Sequence, residues 1–182
     1  MENLIGTAPE SILIHGPKKT LVNKYLWHDP KVGIVASYKP TETDVEDHFG
    51  VFRGVDQIES FAQATVVSCS GFLETIKQNC DFDHLKANFI PLFVSISEVN
   101  FRGYLEIGDV FICMGQITFY KFRQMTCDGR IYKVPPGLDL EAYFKSYTTE
   151  QFLNYELDPE FTLIAELKGV TGKGIKKNKF IK

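Results

Sequence analysis

The sequence predicts a domain of the α+β class in which a curved antiparallel sheet wraps around one long apolar helix. Two observations lead to this prediction. Apolar residues recur at helical spacing through the stretch from Asp47 to Gln78, and runs rich in valine, isoleucine and aromatic residues lie on both sides of it. A sheet and a helix each have an apolar face, and packing one against the other buries both.

The composition is that of one folded globular domain. The chain has 182 residues, of which 44% are hydrophobic and 13% aromatic, which is enough to bury a core without disulfide bonds. The four cysteines show no C-x-x-C spacing, and neither a secretory signal nor a membrane-spanning stretch is visible. We therefore expect a single domain over residues 1–182 that works in the reducing cytoplasm.

Charge is distributed unevenly along the chain. The net charge is −3, but residues 168–182 carry six lysines and no acidic residue. The sequence therefore predicts a basic C-terminal tail on an acidic body. The acidic body argues against nucleic-acid binding, and no spacing of His, Cys, Asp or Glu indicates a metal site. The glycines between Gly169 and Gly174 lack the spacing of a phosphate-binding loop.

The central helix carries one acidic residue early in a largely apolar stretch. Its periodic apolar positions are Val55, Ile58, Ala62, Val66, Cys69, Leu73 and Ile76. Since other faces are apolar as well, we expect the helix to be buried nearly all round. A carboxylate is costly in such a setting unless it has partners, so Glu59 indicates a function. Gln63 lies one turn further on, whereas a purely structural Glu59 would reach solvent or pair with Arg53 or Lys77.

Before the central helix, the sequence predicts a short helix and a β-hairpin. Pro9 suits the first turn of a helix between Thr7 and Ile14. Two strands follow at Leu21–Trp27 and Val32–Tyr38, joined by a turn. We expect His28 in this turn to face solvent, because loops run over the protein surface.

After the central helix, the sequence predicts a polar loop, four strands and two short helices. The loop covers Asn79–Asn88, and the strands are expected at Pro91–Phe101, Val110–Phe122, Gly129–Val134 and Phe161–Leu167. The two short helices lie between Leu138 and Tyr155, with Asp139 and Thr148 as their N-caps.

Two motifs resemble the β-hydroxyacyl-acyl carrier protein dehydratases of fatty acid synthesis. The first consists of His48, Phe49, Gly54, Val55, Gln57, Ile58, Glu59, Ala62 and Gln63. The second covers Val99–Asp109, where the family carries an F-R-x-x-V-x-P-G-D stretch between two strands, and Ile107 replaces its proline. The loop between His48 and Glu59 is three residues shorter than the family pattern and lacks its prolines.

The resemblance implies the hotdog fold and a homodimer, or a higher oligomer, joined through an exposed sheet edge. Residues 136–159 have no counterpart in the family pattern, and we interpret them as an insertion into the single domain. The implied substrate is a 3-hydroxyacyl thioester on acyl carrier protein or coenzyme A. The implied product is the trans-2-enoyl thioester, and no cofactor is required.

The same resemblance implies a role for each residue of the first motif. His48 would remove the α-proton as a base, and Glu59 would protonate the leaving hydroxyl as an acid. These two residues would come from different subunits. Backbone N–H groups near Gly54 and Val55, at the positive end of the helix, would hold the thioester oxygen, and Gln63 would orient Glu59.

The shortened loop leaves two alternatives open. In the first, the protein is a hotdog-fold thioesterase, and Glu59 activates water instead of donating a proton. In the second, it is a non-catalytic acyl-binding partner subunit, which the insertion at residues 136–159 also permits. Both alternatives retain an acyl thioester as the ligand.

Overall fold

A computed structural model describes residues 2–179 of the chain. The described residues form nine strands: β1 (Lys24–Asp29), β2 (Gly33–Tyr38), β3 (Val51–Phe52), β4 (Phe89–Ser95), β5 (Glu98–Phe101), β6 (Leu105–Glu106), β7 (Phe111–Lys121), β8 (Gln124–Lys133) and β9 (Thr162–Lys176). All pairings are antiparallel. The main sheet has the order β1-β2-β7-β8-β9-β4, with β5 also paired to β9, while β3 and β6 pair separately.

The helices are α1 (Pro9–Ile12), α2 (Glu42–Val45), α3 (Gly54–Ala62), α4 (Ser68–Gln78), α5 (Phe82–Asn88), α6 (Leu140–Phe144) and α7 (Thr149–Leu153). A π-helical turn at Gln63–Val67 joins α3 to α4, and residues 54–78 together form the central helix. The predicted combination of an antiparallel sheet with one long central helix is confirmed. None of the helices between residues 2 and 179 combines the length and the hydropathy of a membrane-spanning segment.

The sheet approaches the central helix most closely at two paired glycines. Gly115 in β7 lies opposite Gly129 in β8. A Cβ atom at Gly115 would lie 2.1 Å from Cγ2 of Thr65, and one at Gly129 would lie 2.6 Å from the Phe61 ring. Thr65 and Phe61 are fully buried on the central helix. At Gly115 the helix occupies the space that a side chain would need. At Gly129 that space is taken by Phe61 and by the Met114 carbonyl oxygen, 2.1 Å from the added Cβ.

Residues 136–159 pack against the opposite face of the sheet and form a second core. Alternate residues of β2 and β7 belong to the two cores, as expected for strands whose side chains point to opposite faces. The Trp27 ring stacks on Phe152 of α7 at 4.3 Å between centroids. Asp139 and Thr148 accept hydrogen bonds from the first turns of α6 and α7, which confirms both predicted N-caps.

Several segments differ from the sequence prediction. The predicted strand Pro91–Phe101 is divided into β4 and β5, and β8 begins at Gln124, five residues before the predicted start at Gly129. Helix α5 occupies most of the predicted loop Asn79–Asn88, because the Asp81 carboxylate accepts a hydrogen bond from the His84 N–H at 2.7 Å and caps it. Strand β9 continues to Lys176, nine residues beyond its predicted end, so much of the predicted basic tail lies in the sheet. Residues 180–182 of that tail lie outside the described residues.

The prediction that His28 faces solvent is wrong. This residue lies in β1 with 6% of its surface exposed, and its ring meets the edge of Phe72. Its Nδ1 accepts a hydrogen bond from the Leu4 N–H at 3.1 Å, whereas its Nε2 is buried without a partner. Burial lowers the pKa of His28 to about 4, although the Asp29 charge opposes this shift. The N-terminal segment thus covers a histidine that local turn signals place at the surface.

Candidate functional site

Glu59 lies on an open face of the central helix. Its side chain is 43% exposed, and Val55, one turn earlier, is 64% exposed. The expectation that the helix is buried nearly all round is therefore wrong at this face. Gln63 Nε2 donates a hydrogen bond to Glu59 Oε1 at 2.9 Å, and His15 Nε2 lies 3.5 Å from the same oxygen.

The structural partners considered for Glu59 pair with other acids. Arg53 Nε donates a hydrogen bond to Asp56 at 2.6 Å. The ammonium group of Lys77 lies 3.9 Å from the Glu74 carboxylate. Neither cation neutralises Glu59, so its carboxyl is held by the hydrogen bond from Gln63 and lies 3.5 Å from His15.

Gln63 ties the segment before β1 to the central helix. Its side chain is fully buried, and both the oxygen and the nitrogen of its amide form hydrogen bonds. Besides Glu59, Nε2 donates to the Lys19 carbonyl at 2.8 Å, while Oε1 accepts from the Leu21 N–H at 2.8 Å. Ser60 Oγ adds a hydrogen bond to the Leu21 carbonyl at 2.7 Å. The predicted contact between Gln63 and Glu59 is present, and it is part of a larger network.

His15 is the site residue that the sequence prediction missed. It lies between α1 and the turn at Pro17–Lys19, 44 positions before Glu59, so no local spacing connects the two. Its Nδ1 atom is buried without a hydrogen-bond partner. Burial lowers the pKa of His15, and the nearby Glu59 charge partly opposes the shift. A neutral ring therefore lies beside the carboxyl near neutral pH.

His48 lies apart from Glu59 within one subunit. It is exposed, and its Nδ1 lies 2.9 Å from the Val51 carbonyl oxygen. Its neighbours Asp47 and Phe49 have positive φ angles of 58° and 55°, a conformation that is rare for residues other than glycine. No hydrogen bond or ion pair between His48 and Glu59 exists among residues 2–179. The Phe49 side chain projects fully into solvent.

Gly54 and Val55 form the start of the central helix, as predicted. The first N–H groups of a helix have no partner within it, and they lie at the positive end of the helix dipole. A Cβ atom at Gly54 would lie 2.8 Å from the ring of Phe101 in β5. This close approach explains why glycine occupies the first helical position, next to the sheet edge.

Glu59 and His15 line a groove of about 140 Å³ between the central helix and the sheet. The opposite wall consists of Pro91, Leu92 and Phe93 in β4 and residues 172–174 in β9. An adjoining pocket shares part of this wall and is mainly apolar. It is lined by Ile12, Ile14, Val67, Phe82, Leu85 and Phe89, among others. The carboxyl of Glu59 thus lies at the polar end of a mostly apolar depression.

Strand β4 is an edge strand with exposed apolar side chains. Leu92, Phe93 and Val94 are 37%, 49% and 53% exposed, and Phe101 in the neighbouring β5 is 46% exposed. Pro91 lies in the same strand, as is usual for an edge position. An apolar edge of this kind pairs readily with another chain. The groove containing Glu59 lies directly beside it.

Comparisons by sequence find neither a matching protein-family model nor a matching curated protein. Comparison with solved structures finds the dehydratase heterocomplex ApeI:P from Xenorhabdus doucetiae, with a TM-score of 0.66 over 95% of this chain and 94% of that chain at 12% identity. An uncharacterized protein from Pyrococcus horikoshii matches with a TM-score of 0.50 over 90% of both chains at 11% identity. A 1,4-dihydroxy-2-naphthoyl-CoA thioesterase from Synechocystis has a TM-score of 0.48, with 80% of this chain and 83% of that chain covered at 13% identity. At such identities the likeness concerns the fold, and this chain has the hotdog fold.

Proposed function

We propose that this protein dehydrates a 3-hydroxyacyl thioester to the trans-2-enoyl thioester. The observation that carries the proposal is the Glu59 carboxyl, which is held at Oε1 by Gln63 and faces a groove that adjoins an apolar pocket. An acyl thioester matches this combination, because its reacting carbons need a polar group and its chain needs an apolar wall. The acyl group is carried by acyl carrier protein or coenzyme A.

In the proposed reaction, a base removes a proton from C2, and the electrons of that C–H bond form the C2–C3 double bond by way of an enolate. Glu59 gives its proton to the hydroxyl on C3 as the C–O bond breaks, and water leaves. The N–H groups of Gly54 and Val55 hold the thioester oxygen while it carries negative charge. The substrate is neither oxidised nor reduced, so the step needs no cofactor.

His48 is the proposed base, contributed by the second subunit of a homodimer. Three features support this arrangement. The exposed apolar edge at β4 needs a partner, the Glu59 groove lies beside that edge, and His48 lies on an exposed loop rather than in the groove of its own subunit. Two-fold pairing along β4 would bring the loop of one copy towards the groove of the other.

Basic residues of β9 support a negatively charged carrier. Lys173 lines the Glu59 groove, and Lys168 and Lys176 lie on the same strand. Acyl carrier protein and coenzyme A both carry phosphate at the far end of the pantetheine arm that bears the thioester, and basic residues on the approach to the groove attract it. We therefore propose that the thioester enters past Lys173.

The state of the cysteines supports a reducing compartment for this reaction. Cys69, Cys80, Cys113 and Cys127 are all free thiols. Structural disulfides are typical of oxidising compartments, so we propose that the protein works in the cytoplasm.

One observation favours hydrolysis as a second candidate function. The Glu59 side chain is 43% exposed, and the groove of about 140 Å³ has room for water molecules beside it. A carboxylate in contact with water can act as a general base and direct that water to the thioester carbon. The products would be a free acid and a free thiol.

The experiment offers 3-hydroxyacyl thioesters of several chain lengths, on coenzyme A and on acyl carrier protein, to the purified protein. Absorbance of the conjugated enoyl thioester reports dehydration, and a thiol reagent reports hydrolysis in the same samples. Glu59→Gln removes the acid while preserving shape. Glu150→Gln, an exposed carboxyl on α7, is the matched control.

We expect enoyl thioester from the wild type and from Glu150→Gln, with a loss of at least about a hundredfold in Glu59→Gln. Thiol release that depends on Glu59, without enoyl product, would assign hydrolysis instead. Tight binding of the acyl thioester with neither product would show a non-catalytic acyl-binding subunit.

A further inference from the structure

The geometry points to His15 as a positioning residue for the Glu59 acid: together with Gln63 it holds Oε1, so that the reactive proton is carried by Oε2. This inference rests on the proposed dehydration. It concerns a histidine in the same subunit as Glu59, in contrast to His48, which the proposal assigns to the partner subunit.

Both neighbours of the carboxyl approach one oxygen. Gln63 Nε2 lies 2.9 Å from Glu59 Oε1, and His15 Nε2 lies 3.5 Å from it. The amide of Gln63 donates a hydrogen, so Oε1 is the accepting oxygen of the carboxyl group. A protonated carboxyl then carries its proton on the other oxygen, Oε2. Contacts of acid–base groups are often long before substrate binds, and the 3.5 Å separation of His15 Nε2 from Oε1 is of this kind.

The position of His15 is built into the fold. The segment from His15 to Leu21 is attached to the central helix by three hydrogen bonds of 2.7–2.8 Å, two from the Gln63 side chain and one from Ser60. Thr20 Oγ1 also lies 3.4 Å from the His15 carbonyl oxygen. Gln63 therefore forms hydrogen bonds both to the Glu59 carboxyl and to the segment that contains His15, and so positions the two groups relative to each other.

The protonation state of His15 fits a neutral donor. Its Nδ1 is buried without a partner, and burial lowers its pKa. The charged groups that line the groove with it are Glu59 on the central helix and Lys173 on β9. A neutral ring with hydrogen on Nε2 can donate towards Oε1 and orient the carboxyl without placing a full positive charge beside it.

The test compares three substitutions of His15 in the enoyl assay. His15→Gln places an amide nitrogen where Nε2 lies, His15→Asn places one nearer to Nδ1, and His15→Ala removes both. His84→Ala, an exposed histidine on α5, is the matched control. Thermal unfolding of each variant separates folding defects from catalytic ones.

We expect kcat of His15→Ala and His15→Asn to fall about tenfold to a hundredfold, the effect of a misplaced acid. KM should change less than about twofold, because the acyl chain still fills its pocket. His15→Gln should recover most of kcat. Equal kcat in His15→Ala and the wild type, or no difference between Gln and Asn at position 15, would overturn the inference. A wild type that forms no enoyl product would overturn the proposed function together with it.

Subunit mixing tests whether His15 acts on Glu59 of its own chain. His15→Ala and Glu59→Gln are co-expressed with different tags, and the mixed dimer is purified. If both residues belong to one subunit's site, each site of the mixed dimer keeps one defect, so activity stays at the level of the variants. Recovery above that level would show that His15 serves the other subunit and would overturn the inference.

Discussion

Gln63 Nε2 donates a hydrogen bond to Glu59 Oε1 at 2.9 Å, and Gln63 is also the first residue of the π-helical turn. In this wider turn, the N–H and the hydroxyl of Ser68 both donate hydrogen bonds to the Gln63 carbonyl oxygen. The Tyr25 hydroxyl lies 2.8 Å from Ser68 Oγ. π-helical turns occur often at functional sites. In this protein the irregular turn anchors the residue that holds the candidate acid.

Replacing Gln63 by leucine should destabilise the protein by about 2–4 kcal/mol. The substitution keeps the volume but leaves the buried Leu21 N–H without its acceptor and the Lys19 carbonyl without its donor. Urea unfolding measures the loss. Ser60→Ala, which removes one hydrogen bond to the same segment, should cost about 1 kcal/mol. A loss below about 1 kcal/mol in Gln63→Leu would show that the network contributes little to folding.

Gly115→Ala should destabilise the protein by about 1–3 kcal/mol, because the new methyl group meets the Thr65 side chain in a filled core. Thr65→Ser removes the Cγ2 methyl and keeps the hydroxyl, which donates to the Phe61 carbonyl at 2.7 Å. The double variant should recover part of the loss, and a double-mutant cycle measures this coupling. Gly16→Ala is the control, since its Cβ atom meets no atom within 4 Å. Additive losses would contradict the proposed clash.

His28 should make stability depend on pH. Its folded-state pKa is lowered to about 4 from 6.5, so between these values the unfolded chain binds a proton that the folded chain does not. Stability is therefore complete above pH 6.5 and is lost as pH falls towards 4, by up to about 2 kcal/mol between pH 7 and 5.

Urea unfolding at pH 7 and pH 5 measures the contribution of His28. His28→Asn keeps an acceptor near the position of Nδ1 for the Leu4 N–H but does not titrate, so its loss of stability over this range should be smaller than that of the wild type. The difference between the two proteins removes the contribution of His15, whose pKa is shifted in the same direction. If the free energy of unfolding fell equally in both proteins between pH 7 and pH 5, this result would contradict the burial of a neutral His28.

Phe93→Asp should dissociate the proposed homodimer. The aromatic ring lies on the exposed edge of β4, where pairing with a second copy would bury a new carboxylate without a partner. Sedimentation velocity measures the mass of the particle. Leu153→Asp is the matched control, because Leu153 is equally exposed but lies on α7, over the other face of the sheet. An unchanged mass in Phe93→Asp would place the dimer contact elsewhere.

Local signals predicted the elements that depend on local chemistry. The N-caps at Asp139 and Thr148 are determined by side chains that bond within three residues, and both are confirmed. Helix α5 had the same kind of signal in Asp81, followed by Phe82 and Leu85 at helical spacing, but the surrounding polar residues favoured a loop. The motif search also located Glu59 and Gln63, which the structure brings into contact.

The errors concern residues whose surroundings come from distant parts of the chain. His28 carries a turn signal, yet the Leu4 segment and Phe72 bury it. His15 shows no pattern at all, because three hydrogen bonds from the central helix bring its segment to Glu59. Such contacts depend on the folded arrangement of several elements, which hydrophobic periodicity and spacing in one sequence do not describe.

Complementation between two inactive variants tests most directly whether Glu59 works at a site shared by two subunits. His48→Ala and Glu59→Gln are each assayed for enoyl formation alone and then as a co-expressed mixture. A mixed dimer contains one site with both defects and one site with none, so a random mixture should regain about a quarter of wild-type activity. Recovery of that size is the predicted result. Two inactive variants that stay inactive when co-assembled would contradict the shared site.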